Sequence, residues 1–297
     1  MGNKWAVNEE FLQEVESLQM LVKNNVRGLF GGNHQSKTYG SSCEFSDYRD
    51  YIPGDDITKL DWNAYARFEK LYLKLYLDER QMHTRIYIDA SRSMDYGDGK
   101  KAAQALKLAA TLAYLSVHEM DKVSVYIIKD KEIKEVIGGI VGKESYINEI
   151  HKLNDIEFGG DSFITEAMLT ADVSHGYGDG LSVIISDFLT DNDYEDAIDY
   201  LVSKKRHAFC LQILTKEELN PQVRGKVHFF DSENIAKTYR KNIDREIAQA
   251  YRAALAYATG RIRDFCAVRN ADYLLVPAEM PLNEIFFGKM VEMGVLK

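Results

Sequence analysis

From residue 84 onward, short apolar segments alternate with segments of helical pattern, and few folds accommodate this order. The segments at 85–88 and 181–185 are apolar over nearly their whole length, as strands covered on both faces are. Between them, residues 100–118 are rich in Ala and Leu and predict a helix. Strands and helices in alternation predict an α/β fold with a doubly wound, mostly parallel sheet.

The same patterns predict the other elements of this region. Residues 132–137 are expected to add an edge strand. Further strands are expected near 123–128, 207–214, 226–230 and 272–276. Helices are expected near 143–153, 192–203, 241–269 and 282–293, and another is expected directly after the loop at 158–162. The chain contains no internal repeat, and these units imply a parallel sheet covered on both faces.

The first 81 residues follow a different pattern. Residues 8–27 have helical spacing with one apolar face. That face would consist of Phe11, Val15, Leu18, Leu21 and Val22. After a glycine-rich break near residue 30, residues 43–80 show turns and short strands, of which Leu71–Leu77 alternates as a half-buried strand. We therefore expect an N-terminal helix-plus-β extension, 1–81, and an α/β domain, 82–297.

Composition narrows the class of function. A net charge of −9 disfavours nucleic-acid binding, which requires a basic face against the phosphates. Glutamates at positions 9, 10 and 14 stand where a secretory signal needs an apolar stretch, and no apolar run approaches the roughly 18–20 residues of a membrane span. The cysteines form neither a zinc-type pair nor a disulfide framework; they are Cys43, Cys210 and Cys266. We expect a cytosolic protein without direct membrane insertion and without a nucleic-acid partner.

Acidic residues stand at the ends of two predicted strands. Asp89 ends one strand, Asp187 ends another, and a third strand-to-helix loop contributes Asp161 and Ser162. Ligands of such sheets bind beyond the carboxyl ends of the strands, so these side chains are expected to converge there. Converging buried carboxylates repel each other, and each costs on the order of several kcal/mol when it is desolvated without a partner. A bound cation would resolve that conflict.

The types of ligand indicate which cation would bind. Hydroxyls of Ser91, Ser93 and Ser162, together with Asp89 and Asp187, form an all-oxygen set. Such a set suits Mg²⁺ or Mn²⁺ and does not suit zinc. Because hydroxyls are neutral, the protein leaves part of the metal charge unbalanced. An Asp or Glu of a partner protein can therefore complete the coordination shell.

The segment Asp89-Ala90-Ser91-Arg92-Ser93 resembles the first loop of the metal-ion-dependent adhesion site of von Willebrand factor type A (vWA) domains. Alignment of Ala167-Met168 with the Ala-Leu pair of that family places Ser162 at its second-loop threonine. A register one residue earlier would make Asp161 the ligand, and Asp187 matches the third loop. The resemblance implies that the hydroxyls bind the metal directly and that the two strand-end aspartates bind it mainly through water.

A longer signature lies upstream. Residues 45–56, FSDYRDYIPGDD, followed by Leu60-Asp61-Trp62 and Ala66-Arg67, resemble the domain of unknown function 58 (DUF58) family. These are bacterial and archaeal proteins, often encoded beside MoxR-type AAA+ ATPases. The similarity covers roughly residues 30–280, and it implies such an ATPase as a partner.

Part of this signature has a simple structural interpretation. Residues 52–55, Ile-Pro-Gly-Asp, predict a turn, since Pro presets φ and Gly accepts a positive φ. Arg49 and Asp61 are expected to pair and to hold that turn on the first strand. Trp62 and Tyr65 are expected to be aromatic residues of the core or of a domain interface.

These observations favour a metal-dependent protein-binding module, an adaptor that works with a MoxR-type ATPase and is not an enzyme. A metal-dependent phosphohydrolase would need a second Asp two residues after the first as acid and base, and Ser91 stands there. A dinucleotide enzyme would need GxGxxG after the first strand, and residues 95–99 have the wrong spacing. A vWA-type fold without a metal, which binds through other surfaces, is the alternative.

Overall fold

The computed structural model describes residues 7–22, 35–36, 45–76, 78–79, 82–96, 98–170, 180–190, 192–221, 225–230, 238–243 and 245–295. The chain forms two compact units. The larger contains residues 1–30 and 82–297, and the smaller contains residues 31–81. The predicted glycine-rich break, Cys43, and residues 23–27 of the first predicted helix lie outside the described residues.

The described strands and helices have the following bounds. The strands are β1 (Gln35–Ser36), β2 (Phe45–Asp50), β3 (Tyr72–Tyr76), β4 (Asp78–Glu79), β5 (His83–Asp89), β6 (Lys122–Lys129), β7 (Glu132–Ile140), β8 (Gly180–Ser186), β9 (Arg206–Leu214), β10 (Gly225–Phe230), β11 (Thr238–Ile243) and β12 (Asp272–Pro277). The α-helices are α1 (Glu9–Val22), α2 (Trp62–Phe68), α3 (Lys100–His118), α4 (Gly142–Glu149), α5 (Ile164–Thr170), α6 (Glu195–Ser203), α7 (Lys216–Leu219) and α8 (Arg245–Val268). Short 3-10 helices cover Ile57–Lys59, Arg92–Asp95 and Ile150–Asp155, and a π-helix covers Glu284–Met290.

The larger unit is built on a six-stranded sheet with the order β12-β9-β8-β5-β6-β7. Five of these strands are parallel, and the edge strand β7 runs antiparallel to β6. The predicted doubly wound, mostly parallel α/β fold is therefore confirmed, with its added edge strand. The chain moves from β5 to β6 in one direction and from β8 to β9 and β12 in the other. This reversal places the carboxyl ends of β5 and β8 side by side, where ligands of such sheets bind.

Side chains that alternate along the strands form a core on each face of the sheet. Ile86 and Ile88 of β5 belong to the core that contains α3, a helix whose residues are buried almost throughout. Tyr87, between them, belongs to the second core, to which α5, α6 and α8 contribute. The continuous apolar strands of the sequence thus reflect burial on both faces of the sheet.

Helix α1 packs into the core of the larger unit. Phe11, Val15 and Leu18 are buried in the same core as α3. Just before the helix, Asn154 makes hydrogen bonds of 3.1 and 2.9 Å with the backbone N–H and carbonyl of Val7. The division of the chain therefore differs from the predicted extension 1–81. An amphipathic helix requires an apolar surface to cover, and α1 covers one in the larger unit.

Two predicted elements differ from the structure. The strand near 226–230 is present as β10, but it pairs antiparallel with β11 in a separate two-stranded sheet. The helix predicted from residue 241 begins at Arg245, because residues 238–243 form β11. Single-sequence patterns assign such a short polar segment poorly, since strand formation depends on the pairing partner.

The smaller unit contains the antiparallel pair β2 and β3 and a tight turn after β2. The predicted turn is confirmed: the Asp55 N–H donates to the Ile52 carbonyl at 3.0 Å, and Gly54 has a φ of 108°. The predicted pair of Arg49 with Asp61 is wrong. Arg49 pairs instead with Asp55, at 2.8 Å, so the salt bridge closes the turn itself.

Asp61 has a different role, as the cap of α2. Its carboxylate accepts hydrogen bonds from the backbone N–H groups of Asn63 and Ala64 at 2.9 and 3.2 Å. It also accepts one from the Tyr48 hydroxyl at 2.8 Å and pairs with Lys74 at 3.3 Å. The hydrogen bond from Tyr48 is the main reason why the pKa of Asp61 falls to about 2.

Trp62 and Tyr65 lie on exposed positions of α2. Their exposed fractions are 63% and 44%, and their rings meet edge to face with centroids 6.4 Å apart. The prediction that they are aromatic residues of the core is therefore wrong, and the alternative, that they lie at a domain interface, stays a prediction. Aromatic identity alone suggests burial, but this seven-residue helix buries none of its residues.

Gly180 begins β8 at a place that leaves no room for a side chain. A Cβ atom there would lie 2.5 Å from the His83 carbonyl oxygen and 2.9 Å from a guanidinium nitrogen of Arg206. We expect Gly180→Ala to lower the free energy of unfolding by about 1–3 kcal/mol, as measured by urea denaturation. In Gly288→Ala the new Cβ would meet no atom within 4 Å, and stability should be unchanged or slightly higher. Equal losses at both positions would contradict this account.

Candidate metal centre

Three loops meet at the carboxyl ends of β5 and β8. One follows β5, one precedes α5, and one follows β8. Backbone hydrogen bonds hold the second loop against the first. The Gly159 N–H donates to the Ala90 carbonyl at 2.8 Å, and the Arg92 N–H donates to the Gly160 carbonyl at 3.0 Å.

Asp89, at the end of β5, is the residue that connects two of these loops with the end of β8. Its side chain is fully buried. Oδ1 accepts a hydrogen bond from the Ser91 N–H at 2.9 Å, and Oδ2 accepts from the Ser162 and Ser186 hydroxyls at 2.8 and 2.6 Å. The Ser91 and Ser93 hydroxyls lie 3.2 Å from each other. Several neutral oxygen atoms therefore surround one buried carboxylate.

Asp187, the second strand-end carboxylate, has a positively charged partner. Its Oδ2 accepts a hydrogen bond from the Lys101 ammonium at 2.8 Å, and its Oδ1 accepts one from the Leu189 N–H at 3.1 Å. Lys101 also donates to Glu218 at 2.7 Å. The side chains of Lys101 and Asp187 are only 1% and 3% exposed, so the salt bridge is shielded from water.

The electrostatics of the site follow from this burial. Loss of water and the nearby charge of Asp187 raise the pKa of Asp89. Burial alone would lower the pKa of Lys101, but the charges of Asp187 and Glu218 outweigh it and raise that pKa. Among the described residues, Asp89 therefore has no oppositely charged partner, whereas Asp187 beside it has Lys101.

The second loop presents Ser162, and not Asp161, to Asp89. Ser162 is 1% exposed, and its hydroxyl donates to Asp89. The backbone of Asp161 makes two hydrogen bonds with Asp130. The Asp161 N–H donates to the Asp130 carboxylate at 2.9 Å, and the Asp161 carbonyl accepts from the Asp130 N–H at 3.0 Å. The Asp161 side chain is half-buried at the edge of the site. The structure thus groups Ser162 with Asp89 and leaves Asp161 beside them.

Two residues of this cluster were not among the predicted ligands. Ser186 ends β8 directly before Asp187, and that position was the available signal in the sequence. Lys101 lies in the first turn of α3, three and four residues before the buried Gln104 and Ala105. Helical periodicity alone could therefore have placed this lysine inside. A buried lysine requires a counter-charge, and acidic neighbours could have been inferred from it.

The oxygen atoms around Asp89 suit a hard divalent cation. The Ser162 and Ser186 hydroxyls donate their single hydrogen atoms to Asp89. The Ser186 oxygen also accepts a hydrogen bond from the Phe188 N–H at 3.0 Å, whereas the lone pairs of the Ser162 hydroxyl can serve as acceptors for a cation. Hydroxyls of Ser91, Ser93 and Ser162 would hold Mg²⁺ or Mn²⁺ next to that carboxylate. Within the described part of the chain, no three His, Cys, Asp or Glu side chains form a metal-binding group.

The sheet order and the three converging loops define a vWA-like domain. The family described as "Protein of unknown function DUF58" matches residues 47–261. The chain therefore belongs to the DUF58 family, as its sequence signature predicted. Its relatives include uncharacterized proteins of Mycobacterium tuberculosis and Mycobacterium bovis, each 29% identical over 104 residues. This match covers 34% of the chain and only 33% of each relative.

Solved structures with a related fold share little sequence with this chain. The SpRpn10 VWA domain is 10% identical, with a TM-score of 0.38, and covers 71% of this chain and 95% of its own. An aerotolerance-related membrane protein of Bacteroides fragilis is 17% identical, with a TM-score of 0.39 and coverages of 72% and 98%. A membrane spanning protein of Vibrio fischeri is 10% identical, with a TM-score of 0.23 and coverages of 72% and 98%. These likenesses are distant and concern the fold alone.

The expected cytosolic location is contradicted by the descriptions of these similar proteins. Two of them are described as a membrane protein and a membrane spanning protein. The sequence patterns describe only the domain, and a domain with its own core folds in the same way when it is part of a membrane protein. Within the described residues, every helix is too short or too polar to span a bilayer.

The contacts of the second loop generate a test of its ligand. We expect Ser162→Ala to weaken Mn²⁺ binding by about tenfold or more, whereas Asp161→Ala should weaken it less than about threefold. The reason is that the Ser162 hydroxyl contacts Asp89, while Asp161 contributes mainly its backbone. Isothermal titration calorimetry with Mn²⁺ measures both affinities.

Ser116→Ala provides a matched control for the loss of a buried serine hydroxyl. Ser116 is 1% exposed and donates to the Thr84 hydroxyl at 3.1 Å, at the opposite end of β5. Its replacement should leave Mn²⁺ affinity unchanged. A larger loss for Asp161→Ala than for Ser162→Ala would show that Asp161 is the ligand.

Proposed function

We propose that this chain is a protein-binding module in which Mg²⁺ or Mn²⁺ takes an Asp or Glu side chain of a partner as its last ligand. A vWA-like fold suggests an interaction module. The observation that carries the metal dependence is the buried carboxylate of Asp89, which accepts hydrogen bonds from Ser91 and Ser162 of two loops and from Ser186 at the end of β8. A cation beside these neutral hydroxyls would keep positive charge for an incoming carboxylate.

The exposure of the site supports approach by a partner from one side. Ser93 and Asp161 are half-buried, whereas Asp89 and Ser91 are fully buried. Arg92, between the two loop serines, is exposed. A partner would therefore approach the site from the side on which Ser93 and Asp161 lie.

The partner that the family resemblance implies is a MoxR-type AAA+ ATPase. In this proposal the ATPase presents an acidic side chain to the metal, and the chain acts as an adaptor between the ATPase and its substrates. The match to the curated relatives covers only about one third of the length of each. The partnership with the ATPase therefore belongs to the proposal and is tested below.

The residues around Asp89 do not favour hydrolysis, and DUF58 is not a known enzyme family. A phosphohydrolase of the haloacid-dehalogenase type needs an acid–base carboxylate two residues after the nucleophile. Here that residue is Ser91, whose hydroxyl lies 3.2 Å from that of Ser93. The side chain at this position is therefore a neutral hydroxyl and not the carboxylate that such a hydrolase needs.

One observation favours a second candidate, the same binding module without a metal. Lys101 already supplies positive charge to Asp187. Both oxygens of Asp89 already accept hydrogen bonds from protein groups. In that case the partner would bind in the absence of any divalent cation.

Capture of the purified MoxR-type ATPase of the same organism distinguishes the two candidates. We expect the immobilised chain to bind the ATPase in Mg²⁺, to release it in EDTA, and to bind it again when excess Mg²⁺ is returned. Ser93→Ala should weaken this capture by about tenfold, and Ser116→Ala should not change it. Binding that persists in EDTA would establish the metal-free candidate, and no binding in either condition would exclude the ATPase.

A further inference from the structure

Lys101 places a positive charge where a bound cation would also act. Its ammonium lies 2.8 Å from Asp187 and 2.7 Å from Glu218, and its side chain is 1% exposed. The Tyr96 ring centroid lies 5.8 Å from the same nitrogen. The ammonium is therefore held among two carboxylates and an aromatic ring, with almost no contact with water.

Both oxygens of Asp187 are engaged in the structure. Oδ2 accepts from Lys101, and Oδ1 accepts from the Leu189 N–H. Each of these oxygens has a second lone pair, so a divalent cation could use Asp187 directly or through water, but it would then share that carboxylate with Lys101. In addition, two positive charges near one carboxylate repel each other, most strongly where water is excluded.

We infer that Lys101 acts as an internal competitor of the divalent cation and thereby sets its affinity. We assign to Glu218 the role of keeping Lys101 paired when the cation takes Asp187. This inference rests on the proposed metal centre. It adds a residue that regulates the centre, and it predicts weak metal binding by the wild-type chain relative to a variant without the lysine.

Glu218 is well placed to be the second partner of the lysine. Its Oε1 accepts from Lys101 at 2.7 Å, and its Oε2 accepts from the Thr215 N–H at 2.7 Å in a capping box at the start of α7. The helix cap holds this carboxylate in place independently of Asp187. Without it, displacement of Lys101 would leave a buried ammonium without a counter-charge, which is strongly unfavourable.

Calorimetric titration of the full chain with Mn²⁺ tests the inference with two variants that should change the Mn²⁺ affinity in opposite directions. Lys101→Met removes the competing charge, and we expect Mn²⁺ to bind about tenfold more tightly or better. Glu218→Gln removes the second partner of the lysine but keeps an oxygen for the helix cap, and we expect binding several-fold weaker. The melting temperature of Lys101→Met should also rise more on addition of Mn²⁺ than that of the wild type, because the metal then becomes the counter-charge of Asp187.

Lys100→Met is the matched control, since it removes the same charge one residue earlier. Lys100 is 42% exposed and pairs with Glu217 and Glu279 outside the cluster, so solvent should keep its effect on Mn²⁺ affinity below about twofold. Wild-type affinity in folded Lys101→Met would overturn the inference and leave the metal centre standing. If Lys101→Met does not fold, unchanged affinity in Glu218→Gln overturns it. Failure of the wild type and every variant to bind Mn²⁺ would remove the metal centre itself.

Discussion

The carboxylate of Asp89 lies entirely out of contact with water, and a group of this kind has to find its hydrogen-bond donors within the protein. Ser91, Ser162 and Ser186 are those donors. Ser91 and Ser162 come from two loops that are far apart in the chain, and Ser186 is the last residue of β8. Ser186 reaches Asp89 because β8 lies beside β5 in the sheet. The order of the strands in the sheet therefore determines which side chains surround Asp89.

The second carboxylate, Asp187, satisfies the same requirement with a charge. Helix α3 fills one core of the sheet with Ala and Leu side chains, and its first turn carries Lys101 to the site. Apolar packing thus fixes the position of a polar group. Glu218 extends this charge balance to α7. The packing of α3 therefore places Lys101 beside Asp187, and this ammonium reduces the negative charge that the centre offers to a cation.

Elements with strong local signals could be predicted from the sequence. Helix α3 has the predicted bounds 100–118, because its composition and spacing are typical of a buried helix without any knowledge of its neighbours. Strand β11 could not be predicted, since it forms only by pairing with β10. The salt bridge assigned to Arg49 failed for a similar reason. Several acidic residues lie near it in sequence, and only the folded turn selects Asp55.

The succession of strands and helices, the aspartates at strand ends and the family signature follow from the sequence alone, because periodicity and motif spacing are local properties of the chain. Long-range contacts decided the rest. They bring Ser162 to Asp89, add Ser186 and Lys101 to the cluster, and place α1 in the core of the larger unit. Each of these depends on the distance between residues that are remote in sequence, and that distance is defined only when the sheet has formed.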